Sequence, residues 1–134
     1  MMPVPVTLVA AAAAVFVNIW LGWRIAQYRE DFKVSVGDGG HEPLLRRMRA
    51  QANFTENAPF FLILVGGLEL SGADRLILGI VAAIFILARI AHAIGMDSAD
   101  NRRWRMLGMI GTSLPLLGLA LWALVCAAEH CLGR

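Results

Sequence analysis

Charge is scarce in this chain. Only 16% of its 134 residues are Asp, Glu, Lys or Arg, against 58% hydrophobic, where a soluble domain carries about 25% and 45–50%. With a mean hydropathy of +0.64, this excludes an ordinary soluble globule and points to a membrane protein. The length permits one domain, 1–134, and no separate soluble module. Cysteine is scarce too. Cys126 and Cys131 have no His or Cys at metal-ligand spacing and read as packing residues at the end of an apolar helix. A Walker loop, a His-Glu-x-x-His motif, a dinucleotide fingerprint and a Ser/His/Asp arrangement are all missing. Nothing in the sequence therefore asks for a bound metal, haem or nucleotide. The first apolar run lacks a preceding Lys or Arg. It thus lacks the positive region of a signal peptide and is expected to stay as a membrane helix.

What is present is organised by hydrophobicity. Four segments, about 4–27, 43–70, 74–95 and 105–128, suit helices, and about 20 apolar residues span a bilayer. Trp20, Trp23 and Tyr28 mark one interface of the first. Gly37-Asp38-Gly39-Gly40 predicts a tight turn, and Pro43 suits the start of the second helix. That helix is polar and basic in its first half, and Pro59 is expected to kink it or loosen a hydrogen bond. Short loops predict an all-α, up-down four-helix membrane bundle. Nine of the twelve Lys and Arg residues fall in or beside the 1–2 and 3–4 connections. Basic runs also suit nucleic acid, but in so apolar a chain the positive-inside rule accounts for them. It puts both connections in the cytoplasm and both termini in the periplasm or lumen.

Polar groups carried into apolar segments are the functional candidates. Arg49, Asn53 and Glu56, at i, i+4 and i+7, fall within roughly 60° of one another on a helix. A guanidinium, an amide and a carboxylate on one stripe could grip a zwitterionic ligand. They could equally be an internal strut, for instance with Glu56 paired to Arg89, and both readings can hold. Arg89, His92 and Met96 share a face of the third segment, where Arg89 suits a structural ion pair and His92 an interfacial hydrogen bond. Arg102, Arg103 and Arg105 open the fourth segment, where the helix dipole prefers anions, so a ligand anion nearby would explain them beyond membrane anchoring. Arg24 and Arg29 read as snorkelling anchors or anion contacts. All these groups share one leaflet and would converge at the cytoplasmic end.

Arg49-x-Gln51-x-Asn53-x-x-Glu56-x-x-Pro59 resembles the second-helix signature of the MAPEG family, the membrane-associated proteins of eicosanoid and glutathione metabolism. Ala88-Arg89-Ile-Ala-His92-Ala-Ile-Gly95 resembles its third-helix signature, and an arginine opening the fourth helix belongs to the same pattern. Gly37-Asp38-Gly39-Gly40 is similar to the small bacterial branch, which implies a bacterial inner membrane. The resemblance covers the whole chain. It implies a homotrimer embedded in the lipid bilayer, with glutathione as co-substrate bound between subunits at the cytoplasmic end. Carried over by position, Arg29, Arg49, Gln51, Asn53, Glu56, His92 and Arg103 would contact glutathione. Arg105, sixteen residues after Arg89, would stabilise the thiolate, with Arg103 in reserve. Gln51 points about 200° from Arg49 on an ideal helix, which a pocket between subunits would reconcile. Eicosanoid-synthesising members carry tyrosine where this chain has Met96, and often where it has His92, so the resemblance points away from leukotriene or prostaglandin synthesis.

The leading expectation is a glutathione-dependent transferase, with peroxide reduction as a further activity, attacking lipophilic electrophiles drawn from the bilayer. A non-catalytic lipid- or glutathione-binding protein of the same fold is the alternative. A small multidrug transporter would need a carboxylate in its first helix, and this chain has none within the apolar part of that segment.

Overall fold

The computed structural model describes residues 4–97 and 99–133; Met1 to Pro3, Ser98 and the basic tail residue Arg134 lie outside them. Four long helices account for almost all of the described chain: α1 (Pro5–Phe32), α2 (Glu42–Leu70), α3 (Arg75–Gly95) and α4 (Arg102–Cys131), with a 3₁₀ turn over Ala99–Asn101 before α4. No strand occurs among the described residues. The bundle therefore matches the expected all-α class.

The helix boundaries differ from expectation by three residues or more at three places, the end of α1 and both ends of α4, which runs on to Cys131. α1 continues to Phe32, beyond the end of the apolar run, because Arg24 to Phe32 holds no Gly or Pro to stop it. It stops at Lys33, in the left-handed region at φ 54°, whose N–H bonds back to the Glu30 carbonyl while Val34 bonds to that of Arg29. α4 begins at Arg102 because the 3₁₀ turn leads into it without a break. The glycine turn forms as expected. Gly37, Gly39 and Gly40 all take positive φ, and Asp38 accepts from the Gly40 and His41 N–H groups. α2 runs unbroken through Pro59, so the proline removes one N–H without ending the helix.

α1, α3 and α4 are each long and apolar enough to cross a membrane. α2 is not, because Asn53, Glu56, Asn57 and Glu69 interrupt its apolar face.

α1 packs on α2 and α3, and α4 packs on α3 and α2, with no contact between α1 and α4 among the described residues. The α3–α4 pairing is the most extensive, and glycines allow it. A Cβ at Gly95 would collide with the Arg105 backbone nitrogen, one at Gly108 would lie 2.6 Å from the His92 nitrogen, and one at Gly111 2.7 Å from the Ala88 Cβ. Two apolar clusters fill the interior. One, near the α2–α3 turn, stacks Phe61 on Phe85 with Val65, Leu68, Leu78 and Leu119. The other, near the basic connections, uses smaller residues, among them Ala14, Ala50, Ala58 and Ala93 with Phe54. Small side chains there bring the backbones close and hold the polar residues of α2 at fixed heights.

The end opposite the basic connections is fastened by Glu69, which the sequence reading did not single out. Its buried carboxylate accepts from the N–H groups of Val6 (3.0 Å) and Thr7 (2.8 Å), accepts from the Thr7 hydroxyl (2.7 Å), and lies 3.6 Å from Arg75 Nε. An anion thus caps the first turn of α1, where unpaired N–H groups and the helix dipole both favour one.

Candidate functional site

The stripe on α2 divides at the edge of the packed surface. Arg49 and Glu56 are exposed and, among the described residues, have no hydrogen-bond or ion-pair partner. Asn53 is turned inward, and its Oδ1 accepts from Arg89 Nη1 at 2.6 Å. The helical geometry explains the division. Asn53 lies about 40° to one side of Arg49 and Glu56 about 20° to the other, and the packing boundary runs between them. Arg89 therefore bonds to Asn53 and not to Glu56, so where the strut alternative offered an ion pair with Glu56, α3 is joined to α2 through an amide. Arg89 is 2% exposed, and its Nε and Nη2 have no partner among the described residues. A buried guanidinium held by one neutral oxygen has no counter-charge among the described residues.

Gln51 faces the other way, as its angle from Arg49 requires. It is half-buried against α1, where its Nε2 lies 3.4 Å from Asn18 Oδ1 and the same distance from where a Cβ on Gly22 would sit. Arg29 is half-buried and braces the start of the α1–α2 connection, donating to the Ser35 carbonyl (3.1 Å) and reaching Met48 Sδ (3.8 Å). His92 is buried, its Nδ1 3.4 Å from the backbone carbonyl of Arg105. That contact, with the Gly95 and Gly108 approaches, fixes the first turns of α4 against the last turns of α3. The side chains of Arg103 and Arg105 are exposed, with no partner among the described residues.

The basic end thus holds a divided set. Arg49 and Glu56 lie on the outer face of α2, Arg103 and Arg105 on the outer surface of α4, and Asn53, Arg89 and His92 sit behind them. The outer stripe of α2 continues upward through Ala52, Phe60, Ile63, Gly67 and Leu70, all exposed. Three cations and one carboxylate on surfaces not covered by the chain's own helices can bind an anionic or zwitterionic molecule. No group of three or more His, Cys, Asp and Glu suited to a metal occurs among the described residues.

A second polar cluster went unnoticed in the sequence. Asp97, just past α3, receives Arg24 Nη2 on both carboxylate oxygens and Arg47 Nε at 3.1 Å, while Arg47 Nη1 donates to the Arg24 carbonyl at 2.9 Å. Arg24 packs over the Trp20 ring at 4.6 Å and Arg47 over Tyr28 at 4.0 Å. The signal available was a buried-face arginine, Arg24, at i+4 from an interfacial tryptophan; its anion lies 73 residues away and has no local signature.

A family model matches most of the chain. It spans residues 7–125 and describes the MAPEG family. The chain is 29% identical over 97 residues to the "Inner membrane protein YecN" of Escherichia coli K12, a match covering 72% of this chain and 73% of that protein, and the same figures hold for the protein of that name from Escherichia coli O6:H1. The polar α2 stripe, the Arg89-x-x-His92 pair behind it and the arginine-led α4 thus sit in an all-helical membrane protein that belongs to the MAPEG family.

Proposed function

We propose that this chain is a membrane-bound glutathione-dependent transferase, working as a homotrimer with four spans and its basic end in the cytoplasm. The observation that carries the reading is the exposure of Arg49 and Glu56, without a partner among the described residues, on a helix face that the chain's described helices leave uncovered. Charges so placed beside lipid are costly unless a ligand or a second copy meets them. Glutathione carries two carboxylates, an ammonium and a thiol. Arg49 and Arg103 suit the carboxylates, Glu56 the ammonium, and Asn53 the peptide amides. Gln51 and Arg29 point away from this face in their own protomer, so they serve a ligand there from a neighbouring copy.

Arg105 is the proposed catalytic residue. A free thiol has a pKa of about 8.5 and reacts as its thiolate. A guanidinium beside the sulfur favours the anion, by about 1.4 kcal/mol for each unit of lowering. The thiolate then attacks an electrophilic carbon, a carbon–sulfur bond forms, and the leaving group departs with the electron pair of the bond it breaks. The exposed aliphatic faces of α1 and α4 supply lipophilic electrophiles from the bilayer.

The test is conjugation of glutathione to a chlorinated nitrobenzene by the detergent-purified protein. Turnover is expected, and Arg105→Ala should lower it about 100-fold, the loss that removal of one charge-stabilising donor produces. Absence of both binding and turnover sinks the reading. Glutathione binding without turnover supports the second reading, a binding protein of the same fold, which the lack of any contact orienting the Arg105 side chain within one protomer favours.

A further inference from the structure

The residues proposed to hold glutathione come from two helix pairs that are each tightly packed. Arg49, Asn53 and Glu56 belong to the α1–α2 pair, and His92 and Arg105 to the α3–α4 pair, whose glycine contacts make it one rigid unit at this end. At the basic end the two pairs are joined by the Asn53–Arg89 hydrogen bond, by the apolar contacts around Ala50, Phe54 and Ala93, and, where the connection leaves α3, by the ion cluster around Asp97. The carboxylate follows α3 by two residues and stands between a guanidinium from α1 and one from α2. Arg24 is 6% exposed and its Nη1 has no partner among the described residues. Asp97 is the one anion bonded to it among the described residues. Without that charge two adjacent guanidiniums, one of them buried, would repel across the junction.

We propose that Asp97 is a positioning residue, which clamps the α3–α4 connection to α1 and α2 and thereby sets the separation between Arg105 and the α2 stripe. Its consequence for catalysis rests on the glutathione reading above. Asp97 touches neither thiol nor electrophile. It acts through Arg24 and Arg47, and through the backbone that carries the first turn of α4. Rate is sensitive to such placement, since a shift of about 1 Å can cost 100-fold.

Asp97→Asn keeps the shape and removes the charge. In nanodiscs, Asp97→Asn should speed hydrogen exchange over residues 99–107, weaken the ultraviolet band of enzyme-bound glutathione thiolate, and lower kcat about 10- to 100-fold per folded molecule, with KM for glutathione within about threefold of wild type. Asp97→Glu should recover most of the rate. A merely structural role would reduce the folded fraction and leave kcat and the thiolate band intact, and that outcome overturns the proposal. If wild type neither binds nor turns over glutathione, the functional reading falls separately. Exchange over 99–107 then decides the clamp: faster in Asp97→Asn supports it, unchanged refutes it. Should Asp97→Asn not fold, Arg47→Gln, which keeps the Arg24–Asp97 pair, replaces it. An intermediate loss of kcat is expected, and a wild-type kcat with unchanged exchange refutes the clamp.

Discussion

Asn53 illustrates what a single polar side chain does here. Among the described residues, its Oδ1 is the one hydrogen-bond partner of the buried Arg89. Replacing it with leucine would leave Arg89 without any acceptor, and stranding a buried charge costs about 3–5 kcal/mol. Asn53→Leu should therefore lower the thermal midpoint sharply in detergent. Asn53→Asp should do the opposite for stability, since it gives Arg89 its missing counter-charge, yet weaken the proposed glutathione binding, because a second carboxylate enters the site proposed to hold anions. Scanning fluorimetry and a glutathione titration on the same variants separate the two effects. Only part of this was legible beforehand. The residue types and their 3.6-residue spacing put Arg49, Asn53 and Glu56 near one face, and a spread of roughly 60° is too narrow for sequence to divide. The packing boundary divides it, and assigns Arg89 to Asn53 where charge alone suggested Glu56.

At the scale of elements, the α3–α4 contact depends on atoms that are absent. Gly95 and Gly108 sit where a methyl group would meet backbone. Gly108→Ala should force the helices apart at His92 and cost about 1–3 kcal/mol, as overpacking does. Gly118→Ala, in the same helix with nothing within 4 Å of its Cβ position, should be neutral or stabilise by about 0.5–1 kcal/mol. Paired unfolding curves check both. A parallel expectation concerns α1. Glu69→Gln would weaken the anionic cap on its first turn, and hydrogen exchange at Val6 and Thr7 should accelerate while the basic end stays unchanged. Gly108 and Gly111 were legible in the sequence as two small residues at i and i+3 of the fourth segment. Glu69 was not, because its partners lie more than 60 residues away and no local pattern announces a carboxylate that caps another helix.

The whole molecule shows its solvent in its surface. Its accessible area of 8412 Å² exceeds the roughly 6,900 Å² expected for a soluble monomer of 14.6 kDa. Large apolar side chains contribute to it, for Phe16, Ile19, Leu76, Leu87, Leu114, Leu121 and Leu124 all stand exposed outside the core. Such a belt is stable only in lipid or against other copies. The proposed topology, four spans with the basic end in the cytoplasm, requires that alkaline phosphatase joined after residue 133 be active in intact bacteria and the same enzyme inserted at residues 37–40 inactive. The reverse pattern would invert the topology, and activity at both sites would remove a span.

The order of four helices, the glycine turn, the basic end and the kinship of the α2 and α3 signatures were all determined by sequence alone. Each depends on local periodicity, local turn chemistry or residue spacing within one helix. The tertiary structure decided which polar groups are free and which are held. Arg49, Glu56 and Arg105 face outward, Asn53 and His92 are taken up by Arg89 and the α4 backbone, and Asp97 and Glu69 lock the two ends. Those outcomes depend on pairs of residues far apart in the chain, and on where one helix stops covering another, which no single segment encodes.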